Sequence, residues 1–288
     1  MMLDLLQIPK STYYGWRSPK KSDGRRVAGR DKLKADVYKR WKESKGVMGA
    51  WSIWTKMNKA DTKITLWLVR KLMRELGISG IFKKRKTVTT VQDPTASSRD
   101  DLIKRDFTSP VPTIKLVGDI TYLRLNARRT LYLAVVIDLC TRMVVGWELA
   151  DNMKAGLVVS ALKNAWRNGL VAVGAIFHSD KGSQYTSKLF RTFADSVTVR
   201  LSTGRKATCF DNACAESFFA TLKKEWFYRN TFDSEEEMRA SLARYIEVTY
   251  NRQRPHSTLD GNTPAEEYEM HMYPIKSVTI EEQYQKAA

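Results

Sequence analysis

The sequence of 288 residues is long enough for roughly two domains, and its 43% of hydrophobic residues can fill at least one sizeable core. No segment approaches the ~18 uninterrupted apolar residues of a membrane span, and the opening "MMLDLLQIPK" is too short and polar for a signal peptide. We therefore expect a soluble intracellular protein with no membrane partner. Its three cysteines form no CxxC pair, which argues against a disulfide framework.

The positive charge is unevenly distributed along the chain. The net charge is +18, and residues 1–110 hold 26 Lys and Arg against 11 Asp and Glu, whereas residues 111–288 hold 23 against 20. A basic part joined to a nearly neutral part predicts a polyanion-binding module fused to a second function. We interpret the aromatic residues of the basic part as helix-packing residues and not as base-stacking platforms: Tyr13, Tyr14, Trp16, Trp41, Trp51, Trp54 and Trp67.

The basic part has the pattern of several short helices. "STYYGWRS" follows "LDLLQI" with Pro9 between them, as in a compact helix-turn-helix, and "RDKLKADVYKRWKES" has apolar residues at spacings of four. "KITLWLVRKLMRELGISG" has apolar residues at helical spacing and ends at Gly77, a natural C-cap. We predict a basic helical DNA-binding region over residues 1–92.

A stretch without apolar periodicity follows these helices. "FKKRKTVTTVQDPTASSRDD" is basic and rich in Thr and Ser, which is typical of a linker, and we assign the linker between the two parts to residues 93–112. Its basic run either lies along a DNA phosphate backbone or is part of a solvated tether: Lys83, Lys84, Arg85 and Lys86.

From residue 113 the pattern changes to that of an α/β domain. "IKLVGDITYLRL", "LYLAVVIDLC" and "RMVVGWELA" read as three antiparallel strands, and two further strands alternate with helices up to about residue 230. This order predicts an RNase H-like catalytic core, a mixed five-stranded sheet with flanking helices, after the helix-turn-helix-type region. Residues 231–288 are expected to complete the core with a helix and an Arg-rich tail.

Three acidic residues occupy places suited to metal-assisted phosphodiester chemistry, which needs carboxylates that converge from different elements. Asp119 interrupts the first strand, Asp180 ends the fourth, and Glu216 flanks the apolar face of the helix in "CFDNACAESFFATLKKEW". Each also has an ordinary explanation, as a turn former or as an edge residue. Asp138 lies in another apolar strand and could support a neighbouring carboxylate, whereas Asp211 or Asn212 suits a helix N-cap.

The motifs around these carboxylates resemble those of one known family. "DITYL", "LYLAVVIDLCTRMVVGWEL", "HSDKGSQYTS", "DNACAESFFATLKKE" and "YNRQRPHSTLDGNTPAEEYE" are similar, in order and spacing, to the OrfB-type transposases of the IS-three insertion-sequence family. These are DDE recombinases of the retroviral-integrase superfamily. The resemblance spans about residues 115–270, and "STYYGW", "ESKGVMGAWSI" and "VRKLMRELGISG" extend it more loosely into the helix-turn-helix segment.

The resemblance implies a role for individual residues. The catalytic and metal-binding triad falls on Asp119, Asp180 and Glu216, and a basic residue seven positions after the glutamate, Lys223, is expected to contact DNA. Positions i and i+7 lie on one helix face, which supports that transfer. The loop "NRQRPHS" is expected either to contact DNA ends or to be a solvated loop, through Arg252, Arg254 and His256. We interpret His178 as a support of the strand end.

The resemblance also implies the activity, cofactors and partners. We expect cleavage at insertion-sequence ends and transfer of the 3′-OH into target DNA, with two Mg²⁺ ions, Mn²⁺ as a substitute, and no nucleotide cofactor. Only three histidines exist, none before His178, which excludes an N-terminal His/Cys zinc module. The alternatives are an RNase H-like nuclease without strand transfer and a non-catalytic DNA-binding relative.

The expected partners are the terminal inverted repeats of the element, target DNA and further copies of the chain in a dimer or larger assembly. In this family a segment from an upstream reading frame is often fused by frameshifting, and the start "MMLDLLQIPK" fits that arrangement. The expected location is the bacterial cytoplasm, in association with the nucleoid through DNA.

Overall fold

The computed structural model describes residue 13 and residues 24–81, 101–103, 106–126, 129–203 and 213–272, with the side chains of residues 24–28 excepted. The chain forms two compact units, Met1–Gly80 and Ile81–Ala288. The basic run at 83–86 and the two N-cap candidates, Asp211 and Asn212, lie outside the described residues. The finer domain boundaries proposed from the sequence stay predictions.

The described residues of the first unit form three helices, α1 (Gly24–Glu43), α2 (Ala50–Lys59) and α3 (Leu66–Glu75). Helix α3 begins with a side-chain cap, because Thr65 accepts a hydrogen bond from the backbone N–H of Leu68, and the chain turns after it at Gly77 with φ of 64°. The helical pattern predicted for α1 and α3 is confirmed, and the C-cap at Gly77 has the left-handed backbone that was expected. Helix α2 was not predicted as a separate helix.

The core of this unit lies between the three helices. Its buried side chains come from all of them: Val37, Ile53, Met57, Ile64, Val69, Leu72 and Met73. Trp41 and Trp54 pack against this core, and their indole N–H groups donate to the backbone oxygens of Ser79 and Ile64. The packing role predicted for the tryptophans is wrong for Trp67, whose residue surface is 66% exposed.

The second unit is built on a five-stranded sheet in the order β3-β2-β1-β4-β5. The strands are β1 (Lys115–Arg124), β2 (Thr130–Asp138), β3 (Val144–Ala150), β4 (Ile176–Ser179) and β5 (Arg200–Thr203). The first three are antiparallel neighbours, and β4 and β5 run parallel to β1. This mixed sheet with flanking helices has the predicted RNase H-like arrangement.

Helices cover both faces of the sheet. One face packs against α4 (Ala155–Arg167), the single turn α5 (Ser183–Thr186) and α6 (Lys188–Ser196), and the other packs against α7 (Ala213–Glu225) and α8 (Glu235–Arg244). A π-helical segment, Tyr245–Gln253, continues α8, and α9 (Pro264–Met272) ends the described part. Successive side chains of a strand point to opposite faces, so the continuous apolar run in β2 is explained by burial on both sides.

The π-helical segment is fastened to the sheet by one buried side chain. The Asn251 amide accepts a hydrogen bond from the Val144 backbone N–H at 3.0 Å and donates one to the Val144 carbonyl at 3.0 Å. Ile246 and Tyr250 of the same segment belong to the core that lies under α7. The described residues after 231 thus contribute side chains to the core of the second unit. No helix in the described part of the chain is both long enough and apolar enough to cross a membrane.

Candidate active site

Asp119 lies in the middle of β1, directly opposite Val135 of β2. Its side chain points to the same face as Val117, which belongs to the core beneath α7. The Asp119 Oδ1 accepts a hydrogen bond from the Ile120 backbone N–H at 2.8 Å. Burial, followed by the negative charge of Asp180 and then that of Glu216, raises the pKa of Asp119 to about 7, although the Ile120 hydrogen bond opposes the shift.

Asp180 follows directly on β4, the strand that pairs in parallel with the start of β1. The last pair in this register joins Val117 to His178. If this register continued for two residues past the end of the pairing, Asp180 would be level with Asp119. Gly182 directs the carboxylate, because its backbone N–H donates to Asp180 Oδ1 at 2.9 Å. The electrostatic effect of Asp180 on Asp119 agrees with this placement.

Close packing between β1 and β4 holds this pair of carboxylates in place. Gly118, the residue before Asp119, has no room for a side chain, because a Cβ there would lie 2.2 Å from Cζ of Phe177. The Phe177 ring in turn packs against Tyr185 and Phe190, with ring centroids 5.9 and 5.2 Å away. The two strands therefore meet closely just before each of them reaches its aspartate.

Glu216 is in the first turn of α7, and its side chain is exposed. It flanks the buried stripe of that helix, which packs on β1 and β2: Ala215, Phe218, Phe219 and Leu222. Its negative charge is the smallest of the contributions to the raised pKa of Asp119. Glu216 therefore lies at the margin of the buried face of α7, as the helical spacing predicted.

These three carboxylates suit a hard divalent cation in chemical type and charge. Magnesium prefers carboxylate oxygens, and the pKa of Asp119 is raised by burial first and by the neighbouring negative charges second, both of which a bound cation would offset. Across the residues that the structure describes, no three His, Cys, Asp or Glu side chains are arranged as a metal-binding group. The convergence of all three carboxylates into one ligand set therefore stays a prediction.

Known proteins are similar to this chain over most of its length. Models described as "Integrase core domain" match residues 110–209 and 197–264, and one described as "HTH-like domain" matches residues 29–86. The transposase InsF for insertion sequence IS3A of Escherichia coli (strain K12) is 33% identical over 264 residues, which cover 91% of each chain. The chain belongs to the IS3 family of insertion-sequence transposases.

A second relative and two solved structures extend the comparison. The transposase for insertion sequence element IS904 of Lactococcus lactis subsp. lactis (strain IL1403) is 33% identical over 86% of this chain and 96% of the relative. The HTLV-2 integrase catalytic core domain in complex with magnesium (trimeric form) is 15% identical over 55% of this chain and 98% of that chain, with a TM-score of 0.44. The catalytic core domain of BIV integrase is 16% identical over 61% and 99%, with a TM-score of 0.41.

Membership of the IS3 family gives the general activity. An IS3 transposase with an integrase core is a polynucleotidyl transferase of DDE type that serves DNA transposition, and integrase cores depend on divalent metal ions. The HTH-like domain of this IS3 transposase falls on α1, α2 and α3.

Asp138 of the transposase does not support Asp119, because its oxygens are engaged elsewhere. It pairs with Leu116 across the sheet and is fully buried. Its Oδ1 accepts from the Thr113 backbone N–H at 2.9 Å, and its Oδ2 accepts from the Thr141 N–H at 2.9 Å and the Thr141 hydroxyl at 2.7 Å. The carboxylate thus closes the turn between β2 and β3, and the supporting role that we considered for it is wrong.

His178 has the supporting position that was expected of it. Its buried ring lies edge-on to Phe107, and Nδ1 lies 2.9 Å from the hydroxyl of Ser202 on β5. That hydroxyl oxygen also accepts from the Leu102 backbone N–H at 2.9 Å, so its own proton can point towards the imidazole. His178 therefore ties the end of β4 to β5, two residues before Asp180.

The basic residues predicted to contact DNA have different surroundings. The Lys223 ammonium lies 4.5 Å from the ring centroid of Tyr122 on β1, and Arg252 is exposed. Arg254 forms an ion pair with Glu225 of α7, Nη2 to Oε1 at 3.0 Å, which gives its guanidinium a partner inside the protein. His256 is partly buried and packs edge-on to Tyr250, with ring centroids 5.0 Å apart.

Tyr185 was not recognised from the sequence, although it borders both candidate aspartates of the transposase. It is buried, and burial, followed by the charges of Asp119 and Asp180, raises its pKa well above the usual value. The available signal was its position in "SDKGSQYTS", five residues after Asp180, where a lone aromatic residue in a polar turn calls for a packing partner. Its ring packs against Phe177 and Phe190, with centroids 5.9 and 5.5 Å away.

Proposed function

We propose that the chain cuts DNA at the ends of its insertion sequence and joins the freed 3′-OH to target DNA, with Asp119, Asp180 and Glu216 as the catalytic carboxylates. The observation that supports the proposal is the raised pKa of Asp119, a partly buried carboxyl whose pKa is raised first by burial and then by the charges of Asp180 and Glu216 on separate elements. Negative charges held close together in a partly buried place destabilise the folded state, and a bound cation would offset that cost.

Asp119, Asp180 and Glu216 would hold two Mg²⁺ ions, or Mn²⁺ in their place. When bound, such ions activate the attacking oxygen and stabilise the leaving oxygen of a phosphodiester. The chain's own residues orient the carboxylates: the Ile120 N–H holds Asp119 and the Gly182 N–H holds Asp180. No tyrosine or serine nucleophile is required, because water and then the 3′-OH attack the phosphate directly.

We propose that the first unit binds the element ends through one face of α3. Its exposed positions recur at helical spacing and carry three residues suited to DNA, Trp67, Arg70 and Arg74. Lys71 lies over the Trp67 ring at 5.2 Å from its centroid. The one acidic side chain of α3, Glu75, is paired with Arg30 and Lys34 of α1. This face is therefore cationic, and it suits a DNA groove lined by phosphates.

Pairing of two DNA ends requires more than one copy of the chain, so we propose that the active form is a dimer or a larger assembly. A segment from an upstream reading frame, fused by frameshifting, would add further contacts to the ends. End binding and strand transfer measured with and without that segment test this part of the proposal.

The central experiment separates cutting from joining. Duplexes that carry the element's terminal inverted repeat are supplied uncut or with a free 3′-OH, together with plasmid target DNA and Mg²⁺. We expect nicking of the first and strand transfer of the second. We expect Asp119→Asn, Asp180→Asn and Glu216→Gln to lower both rates at least roughly 100-fold, because each loses a metal-holding carboxylate.

Asp195→Asn is the matched control, since Asp195 is an exposed carboxylate on α6. If the protein nicked DNA but did not transfer strands, it would be a nuclease. If it bound the ends but did not nick them, it would be a DNA-binding protein without catalytic activity. Full activity of the three carboxylate variants would contradict the assignment of the site.

A further inference from the structure

The outer half of β1 is an open edge of the sheet beside the candidate active site. Strand β4 pairs only with Lys115, Leu116 and Val117. Beyond this point, in the part of the chain that the structure describes, no strand pairs with that side of β1, since β4 is its neighbour in the sheet order. The open edge begins beyond Asp119, which lies next to the end of β4, and continues to Arg124.

Tyr122 lies on this open edge with an exposed aromatic ring. The residue is 63% exposed, whereas the next residue of the strand, Leu123, is buried. The Lys223 ammonium reaches it from α7 and lies 4.5 Å from the ring centroid. Since α7 packs on the opposite face of the sheet from the one towards which Tyr122 alternates, Lys223 extends around the edge to make this contact. One side of the ring is thus covered by a cation.

The distance from Tyr122 to Asp119 matches the scale of a nucleic-acid strand. Three residues of β-strand span about 10 Å. Successive nucleotides of one B-DNA strand rise by about 3.4 Å, so about 10 Å corresponds to a few nucleotides at most. A strand whose phosphate is held at Asp119 would therefore present a nearby base to Tyr122.

We propose that Tyr122 stacks on a nucleobase that has left the duplex next to the reacting phosphate, and that Lys223 holds the tyrosine ring in place for it. This inference rests on the proposed function and adds a substrate-positioning residue to it. A base beside the cut that leaves the helix loses its stacking neighbours, and an aromatic ring replaces them without selecting for sequence. Lys223 polarises the ring and brings a positive charge to the same strand.

The first test compares variants that keep or remove the aromatic ring. In single-turnover cleavage of the terminal-repeat duplex with Mg²⁺, we expect Tyr122→Leu to be about 5- to 150-fold slower than the parent protein, because base–aromatic stacking is lost. Tyr122→Phe keeps the ring and should stay within about 3-fold of the parent. The matched control is Tyr228→Leu, since Tyr228 is a 71% exposed tyrosine outside the β1 edge.

The second test locates the base. The fluorescent base analogue 2-aminopurine is placed at each of the positions that flank the scissile phosphate, in EDTA so that the DNA stays intact. We expect quenching on binding at one position with the parent protein and with Tyr122→Phe, and no quenching there with Tyr122→Leu. Mismatches that unpair this position should speed cleavage by the parent more than by Tyr122→Leu, since an opened base gains only where the ring can receive it.

The outcomes separate this inference from the function on which it rests. If the parent cuts DNA but Tyr122→Leu and Tyr122→Phe are equally fast and equally quenched, Tyr122 does not stack on a base and the inference is overturned. Equal slowing of both variants would also overturn it, because the hydroxyl and not the ring would then matter. Absence of cleavage by the parent protein would instead contradict the proposed function.

Discussion

Arg254 forms an ion pair with Glu225 that joins the loop after the π-helical segment to the C-terminal end of α7. Nη2 lies 3.0 Å from Oε1, and Nε lies 3.1 Å from both carboxylate oxygens. The Tyr245 hydroxyl donates to the same carboxylate at 3.2 Å. Burial opposes the charge on Arg254, but Glu225 together with Tyr250 and Tyr245 outweighs it, and the pKa of Arg254 is raised. The pair therefore braces the helix that carries Glu216.

We predict that Arg254→Ala lowers the free energy of unfolding by roughly 1 to 3 kcal/mol, because it leaves a mostly buried carboxylate without its partner. Arg254→Lys should restore only part of the loss, since lysine cannot form the forked contact. Urea denaturation of the DNA-free protein measures the effect. Arg252→Ala, at an exposed neighbouring position, should change stability by less than about 0.5 kcal/mol.

The same variants distinguish bracing from DNA contact. An arginine that binds a phosphate would leave the stability of the DNA-free protein unchanged, and its removal would reduce the salt dependence of DNA binding by about one unit of slope. That result for Arg254→Ala would contradict the bracing role.

Asp119 predicts an unusual dependence of stability on pH. Its pKa is about 7 in the folded chain against 3.8 for the ordinary group, so the folded state holds a proton that the unfolded state has lost. The stability that this proton provides is present below about pH 4 and is lost as the pH rises to about 7. Asp119→Asn avoids the loss and should be more stable than the parent by roughly 1 to 3 kcal/mol at pH 8 but not at pH 4.

Urea denaturation in EDTA at pH 4, 6 and 8 measures this difference, with Asp195→Asn as the control for a general charge effect. Addition of Mg²⁺ at pH 8 should reverse the order, because a cation bound only by the folded parent stabilises it in proportion to its occupancy. A difference between Asp119→Asn and the parent that stayed constant with pH would show that Asp119 ionises normally.

We expect Asp138 to contribute to the stability of the fold and not to catalysis. Asp138→Asn replaces an acceptor by an amide donor that faces backbone N–H groups of Thr113 and Thr141, so we expect a loss of roughly 2 to 4 kcal/mol in the free energy of unfolding. The rate of DNA cleavage per folded molecule should remain within a few fold of the parent. A stable variant with at least about 100-fold lower cleavage would mean instead that Asp138 takes part in the reaction.

The exposed face of α3 predicts a specific salt dependence. Arg70→Ala and Arg74→Ala should each reduce the slope of log affinity against log salt by about one, because each removes one phosphate contact. Fluorescence anisotropy with the terminal-repeat duplex over a series of salt concentrations measures the slopes. Lys39→Ala on α1 is the control, since Lys39 is exposed but lies on a different helix. Equal effects of all three variants would indicate diffuse attraction by the whole unit and no preferred face.

The order of strands and helices could be read from the sequence because it depends on local periodicity. Alternation along "IKLVGDITYLRL" and apolar spacing along "KITLWLVRKLMRELGISG" are set by residues a few positions apart, and both elements form where expected. The spacing of Asp119, Asp180 and Glu216 within their motifs could also be recognised from the sequence. The N-cap candidates of α7 and the run at 83–86 lie outside the described residues, so they stay predictions.

The surroundings of single side chains could not be read in this way. Nothing near Asp138 in the sequence indicates that its oxygens close a turn with Thr113, and nothing near Arg254 indicates Glu225, 29 residues away. Trp67 was expected to pack because it is aromatic, but it lies on the exposed face of α3 with Arg70 and Arg74. These choices depend on which elements meet, and local periodicity does not specify that.

The elements, their order and the three acidic candidates could be predicted from the sequence, since short-range spacing and residue chemistry are sufficient for these. The positions of the candidates in space depend on how the distant elements pack. The parallel pairing of β1 with β4 brings the segments that carry Asp119 and Asp180 together across 60 intervening residues of chain, and α7, which carries Glu216, packs on β1 and β2. Pairing across such separations is selected by burial of the whole core, which is a property of the assembled sheet and helices.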